Sequence, residues 1–417
     1  MVFNHYRGLH RNVYISAIVS FFAESSIRLL FDLLPLYLSA VLFAPPFFIA
    51  FTENITDSFA HFLKFLSGRY ADIFGRKMIA GIGYTLAVLP RPLLLNVHSW
   101  SLLFFVKLCE RVGKGLRYAP RDALLADCTT NEQRAQGFAL QRAMDMFGGV
   151  VGILVLIITV SIVGQDRLST RLFNTFNLIS MVPASLAAIF WFSLIREEFV
   201  APTEQRNFIN DLSQLSTSYF KIFFITILFH LGFLGNSFGI LLAKSVGYGL
   251  HNILDLLLVS RISGSVGASL LPAMAERWSI KGTTDIGFLS HSASCFVFVV
   301  SFYLRNNRIV LALTITLGFI LYGFSISIHR SAAKTMATLF VPTNRTGSAL
   351  GLLFSGIGVS TTVGSLLSGY LYQQGPDLAF YYGAAFGIFS SLILNVCFPE
   401  RSVPSELLEA LVDNVEP

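Results

Sequence analysis

Apolar runs of about 18–25 residues recur along the whole chain, each long enough to cross a hydrocarbon core about 30 Å thick. Lipid offers no partners to open backbone groups, so only helices or closed barrels can span it. Barrel strands would alternate apolar and polar residues. Stretches such as FVFVVSFYL and IGVSTTVGSLLSGYL do not, so the runs read as helices. Composition points the same way: of 417 residues 54% are hydrophobic, 13% are charged and 40 are Phe. A soluble domain carries about 25% charged residues. The expected fold class is an all-α integral membrane protein.

Twelve transmembrane helices are expected, approximately over 12–43, 46–67, 76–96, 100–127, 134–163, 171–195, 219–244, 249–275, 284–303, 308–337, 344–373 and 376–398. Turn chemistry separates them, as in APP at 44–46, VGQD at 163–166, RNNR at 305–308 and QQGPD at 373–377. Loops on the amino-terminal side are rich in Lys and Arg, and those on the other side hold fewer, among them Arg91, Arg167 and Arg171. The positive-inside rule then places both termini in the cytoplasm. The net charge of +6 is explained by these loops and implies no nucleic-acid partner. His5, Arg7, His10 and Arg11 precede the first span without a small-residue cleavage site, so that span is expected to remain as an anchor. Cys109, Cys128, Cys295 and Cys397 are far apart and give neither a disulfide framework nor a zinc site.

The longest polar connection divides six helices from six. The expected organisation is a six-helix bundle over 1–195, a central cytoplasmic linker over 196–218, a second six-helix bundle over 219–398 and a cytoplasmic tail over 399–417. The halves echo one another: TTNEQRAQGFAL joins helices four and five, and VPTNRTGSALGL joins ten and eleven, with Arg134 and Arg345 in equivalent places. Repeated six-helix halves are a transporter architecture, with the site at mid-membrane between them.

Between helices two and three lies SGRYADIFGRK, with Gly68, Asp72, Gly75, Arg76 and Lys77. Gly75 suits a tight turn and the two cations pin the loop inside. This stretch resembles the loop signature of the major facilitator superfamily, although Tyr70 stands at its Leu and Ile73 at a frequent Arg. The resemblance implies a twelve-helix secondary transporter, generally monomeric, whose cytoplasmic gate includes this loop. It also places Asp72 against the start of helix eleven, near Pro342, Thr343 and Asn344. Arg121, Arg142 and Asp145, near the same end, are assigned to the gate as mainly structural charges.

The fourth helix carries ERVGKGLRYAPRDALLAD over 110–127. Arg111 followed by Gly115 matches the family's pattern there. Entering near Trp100, Arg111 lies about 16 Å deep at 1.5 Å per residue. At roughly 100° per residue, Arg111, Lys114, Arg117 and Arg121 share about one third of the helix circumference. A central charge costs about 2.5–3.5 kcal/mol, so this stripe is expected to face the bundle interior or water. Helix one offers Glu24, Arg28 and Asp32, and helix two offers Glu53, Asp57 and His61, each at i, i+4, i+8.

Arg28, Arg111, Lys114, Arg117, His230 and Arg330 are the candidate substrate-binding residues. Glu24, Asp32, Glu53 and Asp57 are the candidate proton-coupling carboxylates, Asp32 and Glu53 favoured. Basic groups, including Arg261 and Lys334, outnumber acids across the expected cavity. The expected substrate is therefore a small anionic or zwitterionic solute, such as a carboxylate metabolite or siderophore-like compound, moved by proton symport. Membrane lipid, the solute and the proton are the expected partners, and the cell inner membrane the expected location. Drug–proton antiport is the alternative; it is weakened because Ile153 stands where the antiporter motif has Pro. A non-transporting receptor is a remote alternative. No metal, cofactor or enzymatic set is expected: HExxH and Cys/His clusters are lacking in the sequence.

Overall fold

The structure is a computed structural model that describes residues 8–97, 99–129, 131–197, 215–304, 306–341 and 346–399. Within them the chain forms α1 (Arg11–Phe31), α2 (Leu34–Ala40), α3 (Pro46–Phe74), α4 (Arg76–Val88), α5 (Trp100–Asp127), α6 (Asn131–Val163), α7 (Thr170–Leu194), α8 (Thr217–Leu231), α9 (Asn236–Ser245), α10 (Leu250–Tyr303), α11 (Arg308–Thr338), α12 (Thr346–Gln374) and α13 (Pro376–Cys397). Among the described residues nine helical segments are long and apolar enough to cross a membrane. The three further crossings, α1–α2, α3 and α5, hold Glu24, Arg28 and Asp32, Glu53, Asp57 and Lys64, and Lys107 through Lys114. Their charge is what separates them from the rest, and they build the site. The fold is the expected all-α one of twelve spans in two six-helix bundles.

Three spans differ from their expected form. The first, expected as continuous over 12–43, breaks between Phe31 and Leu34, where Pro35 opens α2. The seventh, expected over 219–244, breaks between Leu231 and Asn236, at Gly232 and Gly235. Spans eight and nine, expected as 249–275 and 284–303, run on as α10 with a single non-helical residue, Ser279 at φ 64°. Pro and Gly explain the first two breaks: one removes a donor, the other lowers the cost of leaving the helix.

Packing follows small residues. A Cβ on Gly113 would meet the Gly83 carbonyl, and one on Gly148 or Gly152 would meet α1 carbonyls at Phe21 or Ser25. These glycines let backbones touch, as in other membrane bundles. Gly152→Leu is expected to separate α6 from α1, and the purified variant should lose its monodisperse size-exclusion peak.

We call the side on which α1 begins the terminal side, and the opposite side distal. The amino-terminal half packs α1 on α6 and α7, and α5 on α3 and α4; the other half packs α10 on α11 and α13. The halves meet along α3 with α12 and α6 with α10. One apolar cluster crosses between them at the distal end, joining Leu30, Leu34 and Tyr37 to Leu241, Leu242 and Leu254. The buried clusters at the terminal end each belong to one half.

Arg91, expected in a distal loop, is instead 1% exposed. It donates to the Ala87 and Ser180 carbonyls, each at 3.0 Å, and to the Ser26 and Ser180 hydroxyls. A guanidinium with this many fixed acceptors can be buried without a carboxylate.

Candidate functional site

Between the halves lies a cavity of about 1530 Å³. Toward the distal side it ends near Pro35 and Ile240, beneath the apolar cluster. Toward the terminal side its walls reach Phe138, Arg142, Lys334 and Leu350. It is closed distally and extends to the terminal end.

Three helices, α1, α3 and α5, bring most of the charge. On α1, one helical turn between residues places Glu24, Arg28 and Asp32 on the cavity face. Arg28 pairs with Glu24 and with Asp32, the latter at 2.9 Å. Asp32 is also 3.4 Å from Arg261 of α10, which makes it an ionic link between the two halves. On α3 spacings of four, four and three residues align Glu53, Asp57, His61 and Lys64, all on the cavity wall. Asp57 lies 2.6 Å from Arg111 of α5, and Glu53 pairs with Lys107 of the same helix. Each buried charge in this distal and middle layer thereby has a counter-charge, which offsets its desolvation.

The terminal part of the cavity is different. Lys64, Lys114, Arg330 and Lys334 line it, and among the described residues none of the four forms an ion pair. Their neighbours are aromatic. The Lys64 and Lys114 ammonium groups lie 5.1 and 5.5 Å from the Tyr118 ring centre. Lys64 and Lys334 lie 5.6 and 4.9 Å from that of Phe354. Ring faces attract cations by about 0.5–2 kcal/mol, which holds the side chains without neutralising them.

Of the residues expected to bind substrate, Arg28, Arg111, Lys114, His230 and Arg330 line the cavity. Arg117 does not. It is 2% exposed, lies 5.1 Å from the Tyr84 ring centre and 3.7 Å from Glu110, inside the amino-terminal half. It sits at the edge of the expected stripe, where the helix turns from the cavity into its own bundle. The four candidate proton carboxylates, Glu24, Asp32, Glu53 and Asp57, all line the cavity. So do Arg121, Arg142 and Asp145 of the expected gate; Arg121 is 3.1 Å from Asp122 and 4.0 Å from Asp145.

Sequence reasoning gave no role to Lys64, Lys107 or Glu110. Lys107 is fully buried, and its neighbours in SLLFFVKLC disguise it as part of an apolar wall. Glu110 is 1% exposed, with Arg111 at 3.6 Å and Arg117 at 3.7 Å. The available signal was spacing: residues 107, 110, 111 and 114 follow the helical repeat that was applied only to the basic residues.

At the terminal loop Gly75 has φ 92°, a conformation that favours glycine. Arg76 pairs with Asp127 and its backbone N–H donates to Glu197. Lys77 Nζ donates to the Ile195 carbonyl at 2.7 Å. The loop is therefore tied to the ends of α5 and α7. The side chain of Asp72, Gly68, Arg134, and residues 342–345 with Arg345 lie outside the described residues, so the expected contact with the start of helix eleven does too.

Comparison with known proteins gives the same architecture. The chain is 23% identical over 395 residues to an uncharacterized MFS-type transporter of Methanocaldococcus jannaschii, covering 93% of this chain and 95% of that one. It is 25% identical over 342 residues to an uncharacterized protein of Mycobacterium tuberculosis, covering 78% of each. Among solved structures it superposes on a mutant of the nucleoside transporter NupG with a TM-score of 0.77, at 16% identity and over 93% of this chain and 100% of that one. For the POT family transporter PepTSo the TM-score is 0.76, at 12% identity and over 92% and 96% of the two chains. At these identities the solved structures attest the fold alone. The sequence model of the Major Facilitator Superfamily matches residues 13–331, well over half the chain, and the protein belongs to that family of transporters.

Proposed function

We propose that the protein is a secondary active transporter that moves a small anionic or zwitterionic solute by alternating access of the central cavity. The observation that carries this reading is charge. Nine Lys and Arg line the cavity against six Asp and Glu. Each of the six acids has a basic partner: Glu24 and Asp32 have Arg28, Glu53 has Lys107, Asp57 has Arg111, and Asp122 and Asp145 have Arg121. The surplus is therefore cationic, and it faces the cavity.

In this reading the bundles 1–195 and 219–398 rock against each other, joined by the linker 196–218, with the tail 399–417 beyond. The terminal side is the cytoplasmic one, in keeping with its Lys and Arg. The closed distal end and the extended terminal end support an inward-facing state in this reading. The loop with Gly75, Arg76 and Lys77 braces the amino-terminal bundle as one body, which supports its assignment to the cytoplasmic gate. Gly148 and Gly152 abut α1 backbone, which supports a packing role and not an antiporter motif.

Coupling to protons rests on the carboxylates whose partners a bound anion would draw away. Loss of a cationic neighbour makes a carboxylate a better proton acceptor. Asp32 fits best, because its cationic partners Arg28 and Arg261 line the cavity; Glu53 also lines it, with its partner Lys107 buried behind it. Uptake of labelled organic anions into proteoliposomes tests the reading. Flux of at least one anion, stimulated by an inward proton gradient, is expected. Asp32→Asn and Glu53→Gln should flatten the pH dependence; an unchanged profile in both removes them as coupling sites. Transport of cations or neutral lipophiles alone removes the anionic reading.

A further inference from the structure

We propose that the recess formed by Lys64, Lys114, Arg330 and Lys334 binds a doubly charged phosphoryl head group, making the substrate a phosphate monoester. The inference rests on the anionic reading above and narrows it. Two shared rings bound the geometry. Lys64 and Lys114 approach the same Tyr118 ring, at 5.1 and 5.5 Å. Lys64 and Lys334 approach the same Phe354 ring, at 5.6 and 4.9 Å. The three ammonium groups thus surround one part of the cavity, and Arg330 stands one turn before Lys334 on α11.

No carboxylate among the described residues forms an ion pair with them, and Glu24 of α1, whose charge reaches Lys114, is held by Arg28. The nearest carboxylate on the α3 face, Asp57, is held by Arg111 at 2.6 Å. Those of α6 and the end of α5, Asp145 and Asp122, are within 4.0 and 3.1 Å of Arg121. A single carboxylate would bring one negative charge to four cations. A phosphate monoester brings about −1.5 to −2 at neutral pH, and three acceptor oxygens on one centre. Ammonium groups serve as point-charge partners to phosphate, and a guanidinium adds a two-pronged one. The composition of the recess, three lysines and one arginine, therefore matches a compact polyanion better than a flat carboxylate. The rest of the substrate would extend toward the ion-paired layer of Glu24, Arg28 and Asp57, whose charges can accept and donate to hydroxyl groups.

The test uses the full chain in lipid nanodiscs at constant ionic strength. Thermal unfolding and calorimetric titration are measured with inorganic phosphate, glycerol phosphate, succinate, acetate and glycerol. Glycerol phosphate should bind with at least about tenfold higher affinity than succinate, and acetate should bind more weakly still. Lys64→Gln and Lys334→Gln should each weaken glycerol phosphate about tenfold, and Lys64→Arg should restore most of the loss. Lys221→Gln, on the exposed outside of α8, should change nothing. A monodisperse size-exclusion profile for each variant separates lost binding from misfolding. Tighter succinate than glycerol phosphate overturns the phosphate assignment and leaves the anionic reading standing. Binding of glycerol with no anion overturns both. Phosphate binding that is unmoved by Lys64→Gln and Lys334→Gln places the head group elsewhere and also overturns the assignment.

Discussion

Arg111→Gln is expected to abolish transport and to lower stability by on the order of 3 kcal/mol, the scale for breaking a buried ion pair from one side. The reason lies in its two neighbours. Arg111 is 2.6 Å from Asp57 and 3.6 Å from Glu110. The two carboxylates are not alike. Asp57 is 43% exposed, so cavity water can compensate the loss of its partner. Glu110 is 1% exposed, and its remaining contact is Arg117 at 3.7 Å. Most of the destabilisation should therefore come from Glu110. It follows that Asp57→Asn alone should be well folded, whereas Arg111→Gln should not. Adding Glu110→Gln to Arg111→Gln should recover much of the lost stability, because a neutral amide is cheaper to bury than a lone carboxylate. Transport should stay lost in the double variant if Arg111 handles substrate. Recovery of flux together with stability would reduce Arg111 to a structural counter-ion. Thermal unfolding in detergent and anion uptake in proteoliposomes, on the same preparations, distinguish the two.

This pair also shows what could be read without coordinates. Helical spacing and the cost of charge in lipid were enough to turn Arg111, Lys114 and Arg121 inward. The same rule failed at Arg117, because one third of a circumference is wider than the cavity face of a helix that packs on both sides. At that edge, the side chain went to Tyr84 and Glu110 inside its own bundle. Lys107 and Lys64 were overlooked for a related reason. A single lysine among Phe, Val and Leu does not disturb the hydropathy of a span, and it shows its role only when Glu53 or the Tyr118 ring is seen beside it. The breaks after Phe31 and Leu231 were legible in Pro35, Gly232 and Gly235, but the length of the apolar runs outweighed them. Pairing across the halves was not legible. No local pattern says that Asp32 of α1 meets Arg261 of α10, because that contact depends on how two bundles are docked.

The docking contact leads to the second large effect. Asp32→Asn is expected to increase distal opening of the cavity by about tenfold. Asp32 accepts from Arg28 on its own helix at 2.9 Å and lies 3.4 Å from Arg261 in the opposite half. Other contacts also hold the halves together: Ser58 Oγ donates to the Gly358 carbonyl at 2.5 Å, Lys244 to Ser39 at 3.2 Å, and the Leu250 N–H to the Asp166 carbonyl at 3.0 Å. These are neutral acceptors, indifferent to proton binding at the cavity. The Asp32–Arg261 link is different, because neutralising one carboxylate removes it. Protonation of Asp32 and capture of Arg261 by an anion would both release it, which is how ion and substrate could bias one equilibrium. A tenfold shift needs about 1.4 kcal/mol of differential stabilisation, within reach of one largely buried charge pair. Ile240→Cys reports the motion, since Ile240 is 1% exposed and belongs to the distal apolar cluster at the cavity's end. In a background lacking the four native cysteines, a membrane-impermeant maleimide added from the distal side should label Ile240→Cys slowly. Asp32→Asn or Arg261→Gln should each raise that rate about tenfold. Together they should raise it no further, because both remove the same interaction. Rates that multiply in the double variant, or that do not move in either single one, would show that the distal closure is held by the apolar seam alone.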